Sequence, residues 1–140
     1  MPISKRHIFQ SCAGALALLF VTSLQAQNAS SAADPKSVPV IDGAIGTCSA
    51  DFTITDAAGA PVYAASIRVH IAYGFLNAHK LDLEIGTNAD GKARFIGLPE
   101  KLKQGLFFQA SEGKREGSAF DDTGKTCKAN FTIALERKAQ

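Results

Sequence analysis

The sequence predicts an all-β domain, a Greek-key β-sandwich of about seven strands that follows a signal peptide and a flexible linker. Apolar and polar residues alternate with a period of two in several segments after residue 46, which is typical of strands that bury one face. Glycine-containing turns separate most of these segments, and no segment beyond the N-terminal region has the apolar stripe of a helix.

The first 26 residues have the composition of a secretory signal. Lys5 and Arg6 supply positive charge, and an apolar stretch then runs over residues 13–24 and ends before Ala26. This stretch is shorter than the roughly 20 residues that cross a bilayer as a helix. We therefore expect cleavage, a secreted or periplasmic protein, and no stable membrane insertion afterwards; an uncleaved anchor is the alternative.

Residues 27–45 are predicted to form a flexible linker, because alanine, serine and two prolines leave little apolar surface to bury. The folded domain is predicted over residues 46–138. Removal of the signal leaves 13 basic and 13 acidic side chains. A net charge near zero argues against a nucleic-acid partner. Separately, we expect the protein to be a monomer.

The strands are predicted from the alternating segments in chain order, over residues 48–55, 66–73, 80–85, 93–96, 106–110 and 128–136. Asp56 with Gly59 and Asp90 with Gly91 are predicted to form tight turns, in which aspartate accepts backbone hydrogen bonds and glycine adopts a positive φ.

Cys48 and Cys127 are the cysteines that remain after signal cleavage. Export places them in an oxidising compartment, where such a pair usually forms a disulfide. Both belong to the apolar set of their strands, so we expect both side chains to point inward and to tie the first predicted strand to the last.

Two segments resemble a known family. Residues 52–69, with the pattern Asp56-Ala57-Ala58-Gly59-Ala60-Pro61-Val62, and residues 87–99, with Thr87-Asn88-Ala89-Asp90-Gly91, resemble the turn motifs of carboxypeptidase regulatory-like domains. The resemblance covers roughly residues 50–113. It implies a transthyretin-like (prealbumin-like, Ig-like) sandwich, related to the collagen-adhesin B-type repeats, and domains of this family commonly accompany enzymes, receptors or adhesins without catalysis. Ala64 and Lys92 depart from the pattern.

The segment from Tyr73 to Lys80 is the predicted ligand-binding loop. It combines Phe75, Asn77, His79 and Lys80 between two strongly alternating strands, and an aromatic residue beside polar groups on a loop is a common composition for contact sites. The alternative is that Phe75 and Leu76 cap the end of the core. Tyr73 and Phe107 are expected to be core or half-buried.

We expect no catalytic residues, no metal and no cofactor. His70 is expected on the polar face of its strand, and Asp121 with Asp122 is considered as a calcium site but expected to be a solvated loop. The expected function is that of an exported, non-catalytic module for binding or assembly, with an unknown protein or glycan partner. The alternatives are a carbohydrate- or peptide-binding module with a defined ligand and, from the resemblance, a small transthyretin-like hydrolase.

Overall fold

The computed structural model describes residues 34–139, so the predicted signal at residues 1–26 lies outside the described residues. The all-β prediction is confirmed. Within residues 34–139 there are eight strands and a single 3₁₀ turn over Phe75–Asn77. The strands are β1 Val40–Asp42, β2 Cys48–Asp56, β3 Ser66–Tyr73, β4 His79–Gly86, β5 Lys92–Leu98, β6 Leu106–Glu112, β7 Arg115–Asp121 and β8 Lys128–Arg137.

The strands pair in the order β1-β5-β2-β8-β7-β6-β3-β4. β2 and β8 run parallel, as do β1 and β5, and the other neighbours are antiparallel. β7 and β8 pair only at one end, through Arg115 with Arg137 and Glu116 with Glu136. The sheet therefore bends there into two layers, which we call the β2 layer (β1-β5-β2-β8) and the β3 layer (β7-β6-β3-β4).

Aromatic side chains fill the space between the two layers. The ring of Phe52 in β2 lies 4.7 Å from that of Phe108 in β6 and 5.6 Å from that of Phe95 in β5. All three side chains are buried. Removing a buried phenylalanine side chain costs about 3–5 kcal/mol, so this cluster is a principal source of the stability of the domain.

The segment before residue 46 differs from the predicted flexible linker. β1 adds to the edge of β5, with Ile41 opposite Phe95. The side-chain amide of Asn88 donates to the backbone oxygen of Lys36 at 2.9 Å, and the backbone N–H of Ala89 donates to that of Pro35 at 2.9 Å. Residues 35–42 thus lie along the domain, because the unpaired edge of β5 offers hydrogen bonds that composition alone does not reveal.

β7 has no counterpart among the predicted strands, because its inward positions hold no large apolar residue; they are Arg115, Gly117, Ala119 and Asp121. A Cβ atom on Gly117 would lie 2.5 Å from a methyl carbon of Ile133 in β8. Only a glycine fits at that position, so the strand lacks the strong apolar alternation by which the others were predicted.

A disulfide joins Cys48 and Cys127, whose Cα atoms lie 4.5 Å apart. Cys48 is buried at the start of β2, whereas Cys127 is exposed just before β8 begins. The expectation that both side chains point inward is wrong for Cys127, because the alternation of β8 starts only at Lys128. The bond closes the end of the parallel β2–β8 pair.

Candidate functional site

The turn after β2 is built by one carboxylate. The side chain of Asp56 accepts hydrogen bonds from the backbone N–H groups of Ala58 and Ala60, each at 2.9 Å. Gly59 adopts φ 85° and donates to the carbonyl of Asp56 at 3.0 Å. The roles of Asp56 and Gly59 are therefore structural.

The turn between β4 and β5 is built by Asn88 rather than by Asp90. The buried side-chain oxygen of Asn88 accepts from the N–H groups of Asp90 at 3.0 Å and Lys92 at 2.8 Å. The side chain of Asp90 is exposed. Gly91 has φ 71°, and its carbonyl accepts from the N–H of Ile54 at 2.7 Å. Asn88 also holds the N-terminal segment, which sequence reasoning did not foresee.

The predicted ligand loop forms the tip of the β3–β4 hairpin, which we define as Gly74–Ala78. Leu76 and Asn77 have φ values of 54° and 55°, and Gly74 has 82°. The left-handed conformation costs a residue other than glycine about 1–2 kcal/mol, although asparagine tolerates it better than leucine. The tip therefore holds Leu76 in a conformation that its side chain disfavours.

The two apolar side chains of this tip project into solvent. Phe75 is 85% exposed and Leu76 is 84% exposed, the highest values among the large apolar side chains described. The alternative that they cap the end of the core is therefore wrong. Both side chains therefore form an exposed apolar projection at the end of the hairpin.

His79 and Lys80 lie on opposite sides of the hairpin. The ring of His79 stacks on that of Tyr73, with centroids 5.4 Å apart, and an added Cβ on Gly74 would lie 2.8 Å from it. The next residue in a strand points to the opposite face, so Lys80 faces away from the sandwich. His79 thus lies beside the tip that carries Phe75 and Leu76, while Lys80 belongs to the outer face of the β3 layer.

That outer face carries residues that sequence reasoning missed. Phe107 in β6 is 52% exposed and Phe120 in β7 is 57% exposed, and the two are directly opposite in the register. Phe107 is therefore not a core residue, and about half of its surface lies open on the outer face. Its neighbours Leu106 and Phe108 point inward, so the run of three apolar residues hid an alternation that would have placed Phe107 outside.

Ion pairs border the exposed phenylalanines. Arg68 Nε lies 3.0 Å from a carboxylate oxygen of Glu84, and His70 Nδ1 lies 2.5 Å from one of Asp82. The hydrogen bond from the Ser66 hydroxyl, followed by that from Arg68, lowers the pKa of Glu84. These solvent-exposed contacts across β3 and β4 contribute little to stability. The charges of Arg68 and Glu84 cancel each other.

The two carboxylates considered as a calcium site have different surroundings. Asp122 accepts a hydrogen bond from the N–H of Gly124 at 3.2 Å and pairs with Lys125 at 3.1 Å. Asp121 and Thr123 are buried, and within residues 34–139 one oxygen of each side chain has no hydrogen-bond partner. Burial, and to a lesser degree the charge of Asp122, raises the pKa of Asp121.

Within residues 34–139, no group of three or more histidine, cysteine, aspartate or glutamate side chains is arranged to hold a metal ion. In the same range, no helix has the length and apolar character needed to cross a bilayer.

Comparison with known proteins finds structural neighbours only. No family model matches the chain, and no curated protein matches it. It is similar to the 3-chlorocatechol 1,2-dioxygenase of Rhodococcus opacus, with a TM-score of 0.46 and 14% identity over 72% of this chain and 64% of that one. It is also similar to a variant catechol 1,2-dioxygenase of Acinetobacter radioresistens, with a TM-score of 0.46 and 13% identity over 75% of this chain and 60% of that one. The chain thus spans less than two thirds of these enzymes, and a likeness of this size carries no conclusion about activity.

The resemblance to carboxypeptidase regulatory-like domains is corrected by these findings. The turn motifs predict that family, yet no family model matches the chain, and the two solved structures named above are catechol 1,2-dioxygenases. The motif residues Asp56, Gly59 and Gly91 meet the demands of tight turns, as their hydrogen bonds and positive φ values show. Such demands are common to β-hairpins, so these residues indicate turns and not a particular family.

Proposed function

We propose that the domain is an exported, non-catalytic module for binding or assembly in the bacterial envelope or outside the cell, and that the tip of the β3–β4 hairpin is its contact with a partner protein. The observation that carries the proposal is the exposure of Phe75 and Leu76, at 85% and 84%. Export rests on the signal-like composition of residues 1–26.

The backbone conformation of the tip supports its proposed role as a contact site. A hairpin tip that served only to reverse the chain would favour glycine or asparagine at positions of positive φ. This tip instead has leucine at φ 54°. Local strain combined with solvent exposure of apolar groups is a pattern found at contact sites, where a partner covers the apolar surface.

The surroundings of the tip describe the partner that would fit. Phe75 and Leu76 together are a narrow apolar projection, and the stacked pair of His79 and Tyr73 supports its base. A projection of this kind suits an apolar cleft in another protein, where a buried aromatic anchor contributes most of the binding energy.

Site-specific photo-crosslinking tests the proposal. A photoreactive phenylalanine analogue in place of Phe75 should capture one partner from the native envelope, and the same analogue in place of Tyr63, which is 65% exposed elsewhere, should not. With the purified partner, Phe75→Ala should weaken binding by about 30-fold or more, as for a contact worth about 2 kcal/mol. The melting temperature should stay within a few degrees. Equal capture at both positions, or unchanged affinity of Phe75→Ala, would refute the hairpin-tip site.

A further inference from the structure

A second candidate surface lies on the outer face of the β3 layer, apart from the hairpin tip. We infer that this face binds a neutral carbohydrate chain, with Phe107 and Phe120 as the platform on which a sugar ring packs and Gln109 and Ser118 as its hydrogen-bonding groups. The inference goes beyond the proposed contact of the tip with a protein, and it rests on different residues.

The register places these four side chains in a compact square. Phe107 is opposite Phe120, and Gln109 is opposite Ser118 on the same two strands. Residues two apart in a strand share a face and lie about 7 Å apart, so each phenylalanine adjoins a polar side chain. Gln109 and Ser118 are both exposed. The face thus offers flat apolar surface beside an amide and a hydroxyl that can donate and accept.

The face is recessed on either side of Phe107. One depression, of about 760 Å³, lies between Phe107 and the ion pairs of β3 and β4. Another, of about 570 Å³, extends over Ser118 toward Lys138. Phe107, Gln109 and Arg68 line both, so a chain of linked sugar rings can cross the sheet and meet the same central side chains.

Charge on this face favours a neutral ligand. Arg68 pairs with Glu84 and His70 with Asp82, and Lys138 lies 3.5 Å from a carboxylate oxygen of Glu116. Arg68 and Lys138, the cations that line the depressions beside Phe107, each have a carboxylate partner within the domain. An anionic ligand would have to separate these pairs, whereas a neutral one leaves them intact.

A carbohydrate also fits the face better than an extended peptide. A peptide adds a strand at a sheet edge, whereas Gln109 in β6 is paired with Ser118 of β7 on one side and with Arg68 of β3 on the other. A peptide lying flat on the face would leave many of its own backbone groups without partners. A sugar ring has an apolar face for the phenylalanine rings and hydroxyl groups around its rim for Gln109 and Ser118.

Titration with oligosaccharides tests the inference on the intact domain. The probes are cellohexaose, N-acetylchitohexaose and maltohexaose as neutral chains, and oligogalacturonate as an anionic chain. We expect one neutral probe to bind with a dissociation constant of about 1 mM or tighter. In NMR spectra it should shift the side-chain amide of Gln109 and leave that of Asn77 at the hairpin tip unchanged.

Variants then assign the binding to the face. Phe107→Ala and Phe120→Ala should each weaken binding of the neutral probe by about tenfold or more. Phe107→Tyr should retain the affinity for this probe, and Phe75→Ala should leave it unchanged. The inference is overturned if no neutral probe binds, if oligogalacturonate binds as well, or if the amide of Gln109 does not shift. It is also overturned if sedimentation shows a dimer that Phe107→Ala dissociates, since a second copy of the chain would then cover this face.

Discussion

Substitution of Gly91 by alanine tests how the turn between β4 and β5 is held. Gly91 has φ 71°, and an added Cβ would overlap the carbonyl oxygen of Ile54, the residue whose N–H donates to the carbonyl of Gly91. The left-handed conformation costs alanine about 1–2 kcal/mol. Displacing Ile54 would also weaken its hydrogen bond to the carbonyl of Gly91, at about 1 kcal/mol. We expect Gly91→Ala to lower the free energy of unfolding by about 2–3 kcal/mol.

Gly113 supplies the matched control. It lies in the turn between β6 and β7 with φ 58°, and an added Cβ there would meet no atom within 4 Å. Gly113→Ala should therefore cost only about 1–2 kcal/mol from the backbone conformation. Any entropic effect of alanine on the unfolded chain is common to both variants. Urea denaturation gives the two free energies, and values equal within about 0.5 kcal/mol would contradict the close approach to Ile54.

Two further predictions concern the disulfide and the buried carboxylate. Cys127→Ala should lower the free energy of unfolding by about 4.5 kcal/mol in the chain-entropy model for a sequence separation of 79; an unreduced protein with two free thiols by mass spectrometry would contradict it. Burial raises the pKa of Asp121. The stability that its protonated carboxyl contributes is therefore fully present below the ordinary carboxyl pKa of about 4, and it is lost as the pH rises through the raised pKa of the folded protein. Asp121→Asn should therefore raise the melting temperature at pH 7 more than at about pH 4, and an equal effect at both pH values would refute the assignment.

The sequence predicted the strands whose inward positions carry large apolar residues. β2, β3 and β8 show uninterrupted alternation, and the structure places them close to the predicted bounds. β1 and β7 were not predicted, because both strands depend on contacts with segments distant in the sequence. β1 depends on an open edge of β5 far along the chain, and β7 depends on a close approach of Gly117 to Ile133.

Of the two candidate surfaces, one was predicted from the sequence and the other was not. The hairpin tip was predicted because Phe75 follows Gly74 between two clear strands, which places an aromatic residue on a loop. The outer face was not, because its phenylalanines belong to different strands and meet only through the pairing of β6 with β7. A single sequence carries the alternation of each strand, but not which strands become neighbours.

The groups that these variants change lie in different layers of the sandwich. The β2 layer contains the disulfide at one end of β2 and β8, and the Asn88 turn that holds the N-terminal segment. The β3 layer carries Phe75 at its tip and Phe107 with Phe120 on its outer face. Groups that make many internal bonds lower stability when they are removed, whereas exposed apolar groups make few contacts to lose. Changes at Cys127 or Gly91 should therefore reduce stability, while changes at Phe75 or Phe107 should reduce binding and leave the fold intact, which separates a scaffold layer from a contact layer by experiment.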